Sequence, residues 1–137
     1  MKVCGIDIAG GEARFVMLDG GIDSYIPIDC PTKKLPLENS ASSEDVKSFK
    51  SSVDALLRDY EIDKVGIKKR AEKGTFAGGA KSFKIEALIQ LANCAVIIVP
   101  PQTISARLKK NPQAFPTSLH QYQKDAFQTA YAILHNG

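Results

Sequence analysis

The order of its strand-like and helix-like segments constrains the fold of this chain more than any other feature of its sequence. Residues 2–28 hold three β-rich runs separated by glycine-containing turns, and helical and strand-like patterns alternate over the rest of the chain. Three consecutive strands followed by alternating helices and strands predict an α/β fold with a mixed five-stranded sheet and helices on both faces, in the order β-β-β-α-β-α-β-α. The predicted strands cover residues 2–9, 12–18, 24–28, 64–69 and 95–99, and the predicted helices cover residues 43–60, 80–92, 103–110 and 118–136.

Local signals support these bounds. The pair Gly10-Gly11 supplies the turn chemistry of a hairpin between the first two strands. Ser42 is placed to cap the first helix, in which apolar residues recur at intervals of three and four and so mark one buried face. The segment 95–99 is apolar throughout, which predicts a strand buried on both faces.

Composition indicates one globular domain over residues 1–137. The hydrophobic fraction of 44% and the charged fraction of 24% are typical of a soluble protein with a real core. No apolar run follows Met1, so we expect no signal peptide. Cys4, Cys30 and Cys94 are odd in number and form no Cys-x-x-Cys pair, which favours reduced thiols and a cytoplasmic location.

Positive charge is concentrated in one segment, residues 64–84. That segment has seven basic residues and one acid, a net charge of +6, which leaves −3 for the rest of a chain whose total is +3. A local basic patch attracts polyanions, so we expect a phosphate-rich partner, nucleic acid above all, of DNA or RNA type. The residues expected to bind its phosphates are Lys68, Lys69, Arg70, Lys73, Lys81 and Lys84.

Three segments carry a family resemblance. The opening VCGIDIAGGEARFVML resembles the first hairpin of the ribonuclease H-like superfamily, in which an acid on strand one precedes a glycine turn. The ending KDAFQTAYAILHNG resembles the last helix of RuvC-type Holliday-junction resolvases. Together with the middle stretch KGTFAGGAKSFKIEALIQL, these segments resemble a small bacterial family known only as a domain of unknown function, over essentially the whole chain.

The resemblance implies a metal site at the carboxyl ends of the central strands. It places Asp7 on strand one and Asp125 in the last helix as catalytic, Mg²⁺-binding carboxylates of a two-metal phosphodiester hydrolase. The third acid of such a site belongs at the end of strand four, where this chain has the basic run 67–70. Glu72 or Glu86 could substitute for the missing acid.

Each of these residues also has a simpler interpretation. Asp7 could cap the amides of the hairpin turn, and Asp125 could belong to a solvated helix stripe with Gln121 and Gln128. Only one of Lys68 and Lys69 can face Asp7, because successive strand residues point to opposite faces; that lysine could hold Asp7 ionised in place of a metal. The glycine-rich stretch 74–79 is either an anion cradle or a plain connection.

Three functions are compatible with the sequence. The leading hypothesis is a nucleic-acid-binding, RuvC-like domain in which Asp7 and Asp125 form an incomplete site that is either a residual one-metal site or inactive. The alternatives are an active Mg²⁺-dependent nuclease and a protein-interaction module that dimerises through an edge strand. Phe76 and Phe83 are the aromatic residues within the basic segment, and His120 and His135 belong to no metal or triad motif.

Overall fold

The computed structural model of the protein describes residues 1–70 and 79–134. The helices and strands follow one another in the predicted order, with one additional short strand. The strands are β1 (Lys2–Ala9), β2 (Glu12–Gly20), β3 (Tyr25–Pro27), β4 (Lys34–Pro36), β5 (Lys64–Lys68) and β6 (Ala95–Val99). The helices are α1 (Ser43–Asp59), α2 (Ala80–Gln90), α3 (Pro101–Lys110) and α4 (Lys124–Leu134), and a 3-10 turn, Gln121–Gln123, precedes α4.

The strands form one mixed sheet in the order β3-β2-β1-β5-β6, with β4 also paired to β2. The β1–β2 hairpin is antiparallel, and β1, β5 and β6 run parallel to one another. The mixed sheet predicted from the sequence is therefore confirmed, with six strands instead of five among the residues that the structure describes. The extra strand, β4, escaped prediction because it has three residues and ends in Pro36, and its pairing with residues 12–14 of β2 is what makes it a strand.

Helices cover both faces of the sheet, as predicted. On β1, Cys4, Ile6 and Ile8 point into a core with residues of α1 and α2, whereas Val3 points into a second core with α4. Alternation along a strand explains this division, because odd and even residues face opposite sides. Parallel strands end at the same edge of a sheet, so β1, β5 and β6 end together at what we call the carboxyl edge.

Helix α4 lies unusually close to the sheet because two strand residues are glycines. A Cβ atom on Gly5 would lie 2.1 Å from the carbonyl oxygen of Ala126, and one on Gly66 would lie 2.8 Å from Cγ2 of Ile133. No side chain fits at the first distance. These glycines bring the helix backbone against β1 and β5, which sets where the first turn of α4 meets the carboxyl edge.

The first helix confirms the prediction made for it. Ser42 is the N-cap, and its hydroxyl accepts a hydrogen bond of 3.2 Å from the backbone N–H of Asp45. Phe49, Val53 and Leu56 of the predicted apolar face are buried.

Two sequence predictions about the other elements are wrong. Strand β6 is an edge strand and is not buried on both faces: Ala95 is exposed and only Val99 is buried. The last helix begins at Lys124 and not near residue 118, because the 3-10 turn is interposed, and residues 135–137 lie outside the described part. Within that part, no helix has both the length and the apolar character needed to cross a membrane.

Candidate functional site

Asp7 lies near the end of β1, on the face of the sheet that α4 covers. Gly5, two residues earlier on the same face, contacts the backbone of α4. Asp7 is half-buried and pairs in register with Arg14 of β2, so its carboxylate belongs to the sheet surface rather than to the Gly10-Gly11 turn. The structure therefore favours a site on this face over the turn-capping interpretation.

Charged residues from four strands lie side by side near the carboxyl edge. Asp7 on β1 is the register partner of Arg14 on β2, and Arg14 is in turn the partner of Lys34 on β4. On the other side of Asp7, the parallel register of β1 and β5 ends at the pair Ile6–Ile67, and Lys68, the next residue of β5, lies near enough for its charge to lower the pKa of Asp7. We call these four residues, Lys68, Asp7, Arg14 and Lys34, the charged row. It carries three cations and one acid.

Asp125, in the first turn of α4, lies beside Lys68 of the charged row. One of its carboxylate oxygens, Oδ1, lies 3.5 Å from Nζ of Lys68. Lys68 and Asp125 also line a small cavity of about 70 Å³ with Pro101, Ser105 and Gln128. The two acids that the resemblance implied are thus brought to the same edge of the sheet, with a lysine beside them.

The pKa of Asp7 is raised, and the causes can be ordered. Burial is the largest cause, because it disfavours the charged carboxylate, and the negative charge of Asp125 raises the pKa further. Lys68, Arg14 and Arg70 lower it, but by less than the other two causes raise it. Lys68 therefore favours the ionised form of Asp7, as predicted for one of the two lysines, but it offsets only part of the effect of burial and of Asp125 on the pKa.

Asp7→Asn is expected to raise the melting temperature at pH 7. A raised carboxyl pKa means that the folded protein favours the protonated form; this stabilisation is fully present below the ordinary pKa of 3.8 and is lost as pH rises through the raised value. At pH 7 the ionised carboxylate therefore costs stability that the amide does not. The gain should shrink as pH falls through the raised value and should vanish below the ordinary value, as measured by thermal unfolding across pH. Asp23→Asn, at an exposed position, is the control, and equal gains in both variants would contradict the prediction.

The donor set suits a divalent cation poorly. Mg²⁺ binds where several carboxylate or other hard oxygen ligands converge, and this edge offers Asp7 and Asp125 with the ammonium of Lys68 between strand and helix. Another acid on this face, Glu12, is ion-paired to Nε of Arg14 at 3.0 Å. Across residues 1–70 and 79–134, no group of three or more His, Cys, Asp or Glu side chains is placed to hold a metal ion.

The three basic residues that follow one another after β5 separate in space. Lys68 belongs to the charged row, whereas Lys69 is exposed and its backbone N–H donates to the carbonyl of Val99. The guanidinium of Arg70 lies 5.5 Å from the ring centroid of Phe83, and its charge lowers the pKa of Asp7. Its Nε and Nη1 atoms are buried and have no hydrogen-bond partner among the residues that the structure describes. Arg70 therefore adds a further cation near Asp7.

Two of the remaining predicted phosphate ligands, Lys81 and Lys84, lie on helix α2. Helix α2, whose apolar residues pack in the core opposite α4, carries Lys81, Lys84 and Glu86. The ammonium groups of Lys81 and Lys84 donate to the backbone carbonyls of Glu38 and Ser40, so they fasten the segment before α1. Glu86, on the same helix, does not join Asp7 and Asp125. Lys73, Glu72, Phe76 and the cradle residues 74–78 lie outside the described residues.

Arg14, Lys34 and Tyr122 are site residues that sequence reasoning missed. The Tyr122 ring lies 5.7 Å from the Arg14 guanidinium and 5.1 Å from Lys34 Nζ, measured to the ring centroid. A signal for Arg14 was available, because a two-residue turn at Gly10-Gly11 sets it opposite Asp7. Lys34 and Tyr122 carried no such signal, because a short strand and a loop turn bring them to the site.

Several solved structures share this fold. The Thermus thermophilus RuvC structure has a TM-score of 0.73 at 13% sequence identity, with 96% of this chain and 92% of that chain covered. T. thermophilus RuvC in complex with Holliday junction substrate has a TM-score of 0.66 at 14% identity, with 96% and 91% covered. The Fowlpox virus resolvase in complex with substrate Holliday junction DNA has a TM-score of 0.58 at 18% identity, with 98% and 97% covered. At these identities the likeness shows the fold alone, and it confirms the RuvC-like, ribonuclease H-like fold predicted from the sequence.

The family resemblance seen in the sequence is also confirmed. No curated protein is similar enough in sequence to match this chain. The sequence model of the family described as "Protein of unknown function (DUF3010)" matches residues 1–133. The chain therefore belongs to the DUF3010 family.

Proposed function

We propose that this protein binds branched DNA through the carboxyl edge of its sheet and does not cleave it. The observation that carries the proposal is the charged row, in which Lys68 and Arg14 flank the half-buried Asp7 and Lys34 lies beyond Arg14. Within residues 1–70 and 79–134, Glu12 pairs with Arg14 and Asp125 pairs with Lys68, whereas Lys34 has no carboxylate partner, so a phosphate group can supply its counter-charge. Two solved structures with this fold contain Holliday junction DNA, which supports a branched duplex as the partner.

Lys68 is the reason for proposing binding without hydrolysis. It stands at the strand end where the resemblance implied a third metal-binding acid, and its ammonium pairs with Asp125. A fixed ammonium can neutralise a phosphate, but it cannot generate a hydroxide nucleophile as a metal ion does. A lysine in place of the acid attracts the DNA backbone, as a bound metal ion would. It also removes one ligand of the metal ion that would be needed for hydrolysis.

One observation favours the alternative, an Mg²⁺-dependent nuclease. Asp7 and Asp125 lie close enough for the charge of Asp125 to raise the pKa of Asp7. A divalent cation bound by both carboxylates would relieve that repulsion, with further oxygen ligands coming from water and from the DNA phosphates. The metal site would be complete only when DNA phosphates supply the remaining ligands. Metal-dependent cleavage of the junction is therefore the outcome that would establish the alternative.

The test is binding and cleavage of a labelled four-way junction, with linear duplex and RNA of the same sequence beside it. Mg²⁺, Mn²⁺ and chelator are compared, and binding is titrated against salt. The proposal predicts salt-sensitive binding that prefers the junction and does not need metal, with no product in any condition. Product that requires metal and is lost in Asp7→Asn would replace the proposal by the nuclease. An absence of binding at low salt would reject both.

A third hypothesis, an interaction module that pairs two copies through an edge strand, has β6 as its candidate edge. This strand ends the sheet and is partly exposed, with an apolar sequence, AVIIV. Dimerisation without any affinity for nucleic acid is the result that would favour it.

Lys34→Ala is expected to weaken junction binding and to flatten its salt dependence. If Lys34 contacts one phosphate, the slope of log K against log salt should fall by about 1, and all sequences should be affected alike. Lys47→Ala removes the same charge from the exposed surface of α1, which packs on the opposite face of the sheet, and serves as the matched control. Equal slopes in the two variants would contradict a specific contact at Lys34.

A further inference from the structure

His120 and Tyr122 form a parallel aromatic stack near the charged row. Their ring centroids are 5.3 Å apart and their planes differ by 6°. His120 is exposed and Tyr122 is half-buried, so the stack has an inner ring against the protein and an outer ring that faces solvent. Such a stack offers a flat π surface to a second planar group.

The stack is held in place by a buried side chain, Gln123. Its Oε1 accepts a hydrogen bond of 2.9 Å from the backbone N–H of His120, and its Nε2 donates one of 2.9 Å to the carbonyl of Phe15 on β2. Gln123 is 3% exposed; its bond to Phe15 is buried and fastens the 3-10 turn to the sheet, and its partly buried bond to His120 holds the start of that turn. These hydrogen bonds fix the position of the two rings relative to β2, the strand that contains Arg14.

Cations adjoin the inner ring. Arg14 and Lys34 are register partners on neighbouring strands, and both have their charged groups within 5.7 Å of the Tyr122 centroid. Like charges directly opposite one another in a sheet repel, and the ion pair of Arg14 with Glu12 offsets only one of them. An exposed π surface and an excess of positive charge are thus found within one small area.

We infer that the outer face of His120 is a stacking platform for an unpaired base of the bound nucleic acid, with Lys34 and Arg14 contacting the adjoining phosphates. This inference rests on the proposed function and names the part of the partner that the site recognises. Aromatic side chains stack on any base whose π face is free, whereas bases inside a duplex are already stacked on both sides. The platform therefore selects a nucleotide at a branch point, a bulge or an end.

The experiment uses the full chain and a four-way junction that carries one unpaired 2-aminopurine at the branch, with an intact duplex as reference. Stacking quenches 2-aminopurine fluorescence, so the wild-type protein is expected to quench it on binding. His120→Ala is expected to abolish the quenching and to lower affinity for this junction about tenfold, while affinity for intact duplex stays unchanged. His120→Phe, which restores a planar ring without imidazole chemistry, is expected to restore both. Gln121→Ala, at an exposed neighbour outside the stack, is the matched control and should behave as wild type.

The outcomes separate this inference from the function on which it rests. Wild-type binding with equal quenching and affinity in His120→Ala would overturn the platform and leave the binding function intact. Loss in His120→Ala that His120→Phe does not repair would also overturn it, because the histidine would then act by hydrogen bonding and not by stacking. A wild-type protein that binds neither junction nor duplex at low salt would overturn the proposed function itself.

Discussion

Gly5→Ala is expected to lower the free energy of unfolding by at least about 3 kcal/mol. The added Cβ would lie 2.1 Å from the carbonyl oxygen of Ala126 and 2.4 Å from the backbone nitrogen of Ala130. Both are backbone atoms of α4, so no side-chain rotation can make room. Either the helix must move away from β1 or the strand must bend, and both changes open a packed core.

Urea unfolding followed by circular dichroism measures this effect, with Gly21→Ala as the matched control. A Cβ atom added at Gly21 would meet no described atom within 4 Å beyond its chain neighbours, and Gly21 has no positive φ angle, so the same chemical change is expected to be nearly neutral there. A Gly5→Ala protein as stable as the Gly21→Ala protein would show that α4 does not lie against β1 as described. In that case Asp125 would no longer be placed beside Lys68 and Asp7, and the candidate site would be lost with the packing.

Much of the fold followed from local patterns in the sequence. Strand β1 and the hairpin turn, the Ser42 cap of α1 and the bounds of β6 depend on residues near one another in the chain, and each was predicted. The burial of β6 was not predicted correctly, because it depends on which strands lie beside β6 in the sheet. Residues distant in the sequence determine that order. An apolar strand is equally compatible with the centre and the edge of a sheet, and only the topology, with β6 outermost, distinguishes the two.

The candidate site divides in the same way. The resemblance implied Asp7 and Asp125, and strand alternation predicted that one of Lys68 and Lys69 faces Asp7. The structure has Lys68 in that place, beside both acids. Local charge density was a poorer guide, since Lys81 and Lys84 contribute to the same basic segment yet bind carbonyls on the α2 side. Charge along a chain says nothing about which face of a sheet each residue occupies.

The aromatic part of the site could not have been found in the basic segment at all. Tyr122 and His120 come from a turn more than fifty residues after Lys68, and Gln123 fastens that turn to β2 through a hydrogen bond across 108 residues. No periodicity signals a contact of this kind. It depends on the 3-10 turn that replaces the predicted start of the last helix, so the error in the helix boundary and the missed aromatic pair have one cause.

Lys68→Glu is expected to weaken junction binding and to create an affinity for Mg²⁺ that the wild-type protein lacks. The new carboxylate would stand between Asp7 and Asp125, so three acids would converge where a lysine now neutralises one of them. Without metal, their repulsion should lower the melting temperature. With a dissociation constant of about 0.1 mM, typical of weaker oxygen-ligand sites, about 10 mM Mg²⁺ would stabilise the variant by about 2.7 kcal/mol.

Thermal unfolding with and without Mg²⁺ measures the new affinity, and the junction-binding assay measures the loss. Lys69→Glu makes the same charge change on the exposed neighbour, which points away from Asp7, so it controls for the altered net charge. If Lys68 stands in for a metal ligand, only the Lys68→Glu protein gains stability from Mg²⁺, and it loses more junction affinity than Lys69→Glu. If the wild-type protein is stabilised by Mg²⁺ to the same extent, Asp7 and Asp125 already suffice to bind the ion, and the nuclease becomes the better account of the site.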